Sequence, residues 1–153
     1  MTDLPPARPE ELDAIETRIE EWLAREQQRS PVVAAVDRDP VERRWYVRLR
    51  GEEKDFTTVW FTLGQRTLTF ETYVMPAPEE NHAAFYEYLL RRNRGCNGIT
   101  FCIGEEDAIF LRGQLPVHAV SEAELDRILG STFAYVERFF RPAMRIGYAS
   151  RFR

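Results

Sequence analysis

A chain of 153 residues with 44% hydrophobic, 12% aromatic and 30% charged side chains has the length of one compact domain and enough apolar material for a core, which excludes disorder over most of it. Twenty-five acids against 21 bases give a net charge of −4, the opposite of the broad basic field that nonspecific nucleic-acid binding uses. No stretch approaches the roughly 20 apolar residues of a membrane-spanning helix, and no apolar run follows a basic cluster at the start, so the expectation is no membrane and a cytoplasmic location. The reading is one domain over 1–153, with a short extension over 1–8.

In chain order, residues 10–28 predict a helix, with Leu12, Ile15, Ile19, Trp22 and Leu23 on one stripe, Pro9 at its first position and Glu10, Glu11 and Asp13 at the positive end of its dipole. The apolar run 32–36 reads as a lead-in or an extra edge strand. Three alternating strands follow: Trp45, Val47 and Leu49 share one face of the first, Val59, Phe61 and Leu63 of the second, and Leu68, Phe70 and Val74 of the third. Their short polar links, 51–55 and 64–66, require antiparallel pairing. After Pro76-Ala77-Pro78, residues 79–93 predict a second helix with Phe85, Tyr86, Leu89 and Leu90 on its stripe and Gly95 as a left-handed cap. Ile99, Phe101 and Ile103, a turn over 104–107 and a return over 108–112 make a hairpin. Ser121 and Glu124 form a capping box for the last helix, whose face runs from Leu125 to Phe140 and stops at Pro142. The fold class is α+β, in the order α-β-β-β-α-β-β-α, an antiparallel five-stranded sheet with helices packed on one face.

Chemical motifs are sparse. No phosphate loop, paired-histidine zinc motif or nucleophile elbow is present, so no catalytic residue, metal ligand or cofactor is assigned. Cys96 and Cys102 are too few for a disulfide scaffold, and an extended stretch between them would hold them about 20 Å apart, beyond the disulfide limit of about 7 Å. Glu105-Glu106-Asp107 offers hard oxygen ligands for a divalent cation, but such clusters are usually solvated turns. His82, His118, Cys102, Glu105 and Asp107 are the polar groups an alternative ligand-binding or enzymatic cleft would use. Arg91, Arg92 and Arg94 beside the Gly95 to Gly98 turn form a candidate basic patch for a phosphate backbone. Cations at a helix C-terminus are the simpler account, and nucleic acid is disfavoured. Residues 138–153 carry five further arginines, which form a second basic patch or hold the acidic first helix.

The outward side of the three-strand meander is more informative. It carries Tyr46, Arg48, Thr58, Trp60, Thr62, Thr69, Glu71, Tyr73 and Met75, and Tyr, Trp, Met and Arg are the side chains of buried interface centres. Tyr46, Arg48, Trp60, Thr62, Tyr73 and Met75 are therefore the candidate partner-binding or dimer face. Cross-strand aromatic packing that stabilises the sheet, or cover by the 32–36 run, accounts for the same residues.

The order of elements, with Thr58-Val59-Trp60-Phe61-Thr62-Leu63, the run from Leu68 to Pro76, Tyr88-Leu89-Leu90-Arg91-Arg92-Asn93 and the hairpin, resembles the YbjN family over residues 45–151. Phe140-Arg141-Pro142-Ala143-Met144-Arg145 is similar to the close of the last helix in its actinobacterial branch. The resemblance implies a fold similar to the small dimeric chaperones of type III secretion, which bind extended polypeptide and do no chemistry. It also implies a homodimer, a protein or extended peptide as partner, and a regulatory role. The family has no catalytic residues to carry over.

Overall fold

The computed structural model describes residues 4–152, so part of the 1–8 extension and Arg153 lie outside the described residues. Pro9 opens α1 (Pro9–Arg29), and Glu11 Oε1 accepts from the Arg8 backbone N–H at 3.0 Å to fix its entry. Next come β1 (Val33–Arg38), β2 (Arg44–Arg50), β3 (Phe56–Leu63) and β4 (Thr67–Met75), then α2 (His82–Asn93), the hairpin β5 (Thr100–Ile103) and β6 (Ile109–Pro116), and α3 (Glu122–Gly147). The six strands lie in the order β1-β2-β3-β4-β6-β5, with every neighbouring pair antiparallel. Short polar links account for β1 to β4, since consecutive antiparallel strands need no crossover.

One sheet face is the core. Trp45, Val47, Leu49, Val59, Phe61, Leu63, Leu68, Phe70 and Val74 are all buried there. The helices close over them: Ile19, Trp22 and Leu23 from α1, Phe85 and Leu89 from α2, and Leu125, Ile128, Val136 and Phe139 from α3. Trp22 meets Phe61 edge to face at 5.9 Å, and its indole N–H donates to Asp126 Oδ1 at 2.7 Å, joining α1 to both the sheet and α3.

Several expectations need correction. The sheet has six strands, because the 32–36 run becomes the edge strand β1, with a bulge between Val33 and Ala35 that hides its alternation. Met75 is core and not outer face: a register shift between Tyr73 and Met75 inserts an extra residue, so Val74 and Met75 are both 1% exposed. α2 starts three residues later than expected, since Glu79 and Glu80 donate their backbone N–H groups to Gly147 O and Asn81 is left-handed at φ 54°. Gly95 is not a left-handed cap; its N–H bonds to Arg92 O at 3.0 Å, and the positive φ, 74°, belongs to Gly98. Only half of the capping box forms, Ser121 Oγ accepting from Glu124 N while the Glu124 carboxylate takes Arg127.

α3 also runs through Pro142 to Gly147. An interior proline costs about 3 kcal/mol, and burial of Ala143, Gly147 and Tyr148 beyond it offsets that loss. A Cβ on Gly147 would lie 2.8 Å from the Phe85 ring, so glycine alone lets α2 and α3 approach there. Among the described residues the C-terminal arginines form no ion pair with the first helix. Arg141 pairs with Glu53 at 2.6 Å and Arg151 with Glu79 at 2.7 Å, whereas α1 is held by Arg38 on Glu16 at 3.2 Å and Arg43 on Asp13 at 2.9 Å.

Candidate functional site

The strand registers arrange the outward side chains of the sheet in rows. Across the middle run Asp37, Tyr46, Trp60, Glu71, Arg112 and Thr100, one from each successive strand. On one side of that row lie Arg48 beside Thr58, and Tyr73 beside Phe110 and Cys102. On the other lie Arg44, Thr62, Thr69 and Gln114. Tyr46, Arg48, Trp60, Thr62 and Tyr73 therefore share this face, and of the candidate residues only Met75 leaves it.

Phe110 organises the aromatic part. It stands edge-on to Trp60 at 6.3 Å and to Tyr73 at 5.7 Å, the arrangement ring quadrupoles favour. Around these rings is a groove of about 710 Å³, lined along the sheet by Arg44, Tyr46, Trp60, Thr62, Thr69, Glu71 and Arg112, and at the β5–β6 turn by Cys102, Ile103, Gly104 and Glu105. A Cβ on Gly104 would stand 2.4 Å from the Phe110 ring, so the turn can close on that ring only because this residue has no side chain. Glu106 and Asp107 in the same turn are left-handed at φ 57° and 60°, a conformation costing non-glycine residues about 1–2 kcal/mol each.

Polar groups in the groove are partly engaged. Arg112 Nε donates to Glu71 Oε2 at 3.1 Å and Arg44 Nε to Thr62 Oγ1 at 3.0 Å. Arg48 stacks over the Phe56 ring at 3.8 Å. Burial, then Glu71, pushes the Cys102 thiol up against the opposing pull of Arg112, so it is protonated and a poor nucleophile at neutral pH. At the end of the face, Lys54 Nζ sits 5.8 Å from the Tyr73 ring and 5.9 Å from that of Phe140 and donates to Phe56 O; burial pulls it below the usual lysine range. Burial, then Glu106, pushes the Tyr73 hydroxyl up.

The other candidates are scattered. His118 lies 3.7 Å from Glu11, His82 opens α2, and only Cys102 and Glu105 of the proposed cleft residues meet in one groove. Among the described residues no cluster of three His, Cys, Asp or Glu is placed to hold a metal ion. Arg91 pairs with Glu87 at 3.0 Å and Arg92 stacks on Tyr88 at 4.9 Å. Within the Gly95 to Gly98 turn the Asn97 N–H goes to the Tyr135 hydroxyl at 2.9 Å, and the Arg127 guanidinium lies against Gly98, so the turn is satisfied from inside the fold.

Phe110, Arg44 and Arg112 were not singled out from the sequence. Phe110 was legible: between Ile109 and Leu111, which point inward, strand alternation sends it outward. Pairing of β4 with β6, which brings it to Trp60 and Tyr73, has no local sequence signal.

This architecture is shared with type III secretion chaperones. A chain of the ExsC–ExsE complex matches with TM-score 0.58 at 16% identity, over 82% of this chain and 93% of that one. The heterodimeric ExoU–SpcU complex from the type III secretion system of Pseudomonas aeruginosa gives 0.54 at 13%, over 82% and 96%. The Yersinia pestis chaperone SycH, in complex with a stable fragment of YscM2, gives 0.52 at 14%, over 80% and 96%. At such identities the likeness is one of fold. The sequence pattern of the YbjN family, described as "Putative bacterial sensory transduction regulator", matches residues 16–143, and the chain belongs to that family. Proteins of Mycobacterium tuberculosis and Mycobacterium leprae are 33% and 31% identical to it over 104 and 107 residues, which is 68% and 70% of this chain. Those matches span 57% and 58% of the relatives' own length. Among the described residues no helix is long and apolar enough to cross a membrane.

Proposed function

We propose that the chain is a cytoplasmic protein-interaction module, chaperone-like and without catalytic chemistry of its own, that takes an extended segment of a partner protein across the outer face of its sheet. The observation that carries this reading is the groove at Trp60, Phe110 and Tyr46, on the face opposite the helical layer. Aromatic rings beside partly engaged polar groups suit a peptide whose side chains alternate between contact and solvent.

Addition of a strand at a sheet edge is the competing mode, and both edges are guarded. β1 is bulged and carries Asp37 and Arg38. On β5 the side-chain amide of Asn93 occupies the centre: Phe101 N–H donates to Asn93 Oδ1 at 2.7 Å, and Asn93 Nδ2 donates to Phe101 O at 3.2 Å. Face docking is what remains. The homodimer belongs to the same reading, through the apolar groove of Tyr86, Leu89, Leu90, Phe101, Ile103 and Ile109 along α2 and β5, where Leu90 is 70% and Ile103 56% exposed. That contact shares Cys102 and Ile103 with the turn end of the outer groove and leaves Arg44, Tyr46 and Trp60 outside it.

The test compares wild type with Trp60→Glu and Tyr73→Glu in a pull-down, followed by reconstitution of the captured protein from purified components. Both variants are expected to melt as wild type does and to lose the partner. A partner retained by both contradicts the reading.

A further inference from the structure

The β2 side of the outer face is richer in base than the chain as a whole. Arg44, Arg48 and Arg50 point outward from β2 against Asp37 on β1, whereas Arg112 on β6 faces Glu71 and the turn carboxylate Glu105, and the chain has a net charge of −4. The excess is uneven. Glu71 neutralises Arg112 at 3.1 Å, which leaves the β5–β6 side dominated by Phe110 and Ile103. On β2, the Arg48 guanidinium carbon lies 3.8 Å from the centre of the Phe56 ring, a cation–π contact that uses none of its N–H donors. Among the described residues neither Arg48 nor Arg50 meets a carboxylate. Arg44 Nε donates to the Thr62 hydroxyl, and its guanidinium lies within electrostatic range of the Asp39 carboxylate.

Resting on the interaction reading above, we propose that the segment bound here is an acidic extended polypeptide: an aromatic or large aliphatic side chain seats against Trp60 and Phe110, and flanking carboxylates meet Arg44 and Arg48. The rings and arginines would also attract a single strand of nucleic acid. Glu71 and Glu105, however, line the groove beside those rings, and an unbroken row of phosphates could not avoid them. A polypeptide places its charges at chosen positions.

Trp60 supplies the readout. Trp22 and Trp45 are 0% and 1% exposed, so acrylamide quenching of tryptophan emission reports on Trp60. Three synthetic peptides with the same Phe and Leu positions, and with Glu, Gln or Lys between them, are titrated beside an oligothymidylate at low and raised salt. Only the Glu peptide is expected to protect Trp60. Its affinity should fall about fivefold to tenfold in Arg48→Glu and again in Arg44→Glu, and should weaken with salt. Equal protection by all three peptides overturns the acidic preference and leaves the interaction reading standing. No protection by any peptide overturns both, and tighter binding of the oligothymidylate overturns the proposal in favour of nucleic acid.

Discussion

Phe110 stands edge-on to Trp60 and Tyr73, and nothing larger than glycine fits at position 104 beside it. Its neighbour across Tyr73 is Lys54, the one lysine among 21 basic residues, half-buried between two rings with one hydrogen bond to Phe56 O. Burial disfavours its charged form, so the folded-state midpoint lies below the ordinary lysine value of about 10.4. The sign for stability follows. Between the folded midpoint and the ordinary one the unfolded chain binds more protons, so this residue makes stability rise with pH across that interval and leaves it unchanged below. A single lysine makes the measurement unambiguous: the Lys54 side-chain NMR signal is expected to titrate below the value of the same group in denaturant. An equal or higher midpoint contradicts the burial.

At the scale of elements, α3 does more than cover the sheet. Glu137 projects from it and accepts three backbone N–H groups of the β2–β3 loop, those of Glu52 at 2.5 Å, Glu53 at 3.3 Å and Lys54 at 3.2 Å. Loop amides held by one carboxylate in this way fix Lys54 beside Tyr73. Glu137→Ala is expected to cost about 1–2 kcal/mol, read by denaturant unfolding, and to return the Lys54 midpoint toward the ordinary value; unchanged stability contradicts the clamp. The helices and the central strands were legible because amphipathic stripes and period-two alternation set them locally, as at Ile15, Ile19 and Trp22 or Val59, Phe61 and Leu63. What was not legible depended on tertiary partners. The bulge that buries Met75 is set by pairing with β6, the short start of α2 by Gly147 O, and the passage of α3 through Pro142 by packing of Gly147 on Phe85. For the outer face, parity along single strands placed Tyr46, Trp60 and Tyr73. The groove itself needed the non-sequential β4–β6 contact, which brings Phe110 and Arg112 across from a distant part of the chain.

As a whole molecule the protein divides its aromatic residues between two faces. Trp22, Trp45, Phe61, Phe70 and Phe85 fill the layer between sheet and helices, and Tyr46, Trp60, Tyr73 and Phe110 line the other side. The fold shared with type III secretion chaperones and membership of the YbjN family are compatible with this division, with a helical layer behind and the proposed binding surface in front. The central claim is which side the partner occupies, and site-specific photo-crosslinking tests it most directly. A benzoylphenylalanine is placed either at Tyr73, 40% exposed on the sheet, or at Ala134, exposed on α3, and the protein is irradiated with its captured partner. An adduct from position 73 and none from 134 is the predicted result; an adduct from 134 and none from 73 would contradict it.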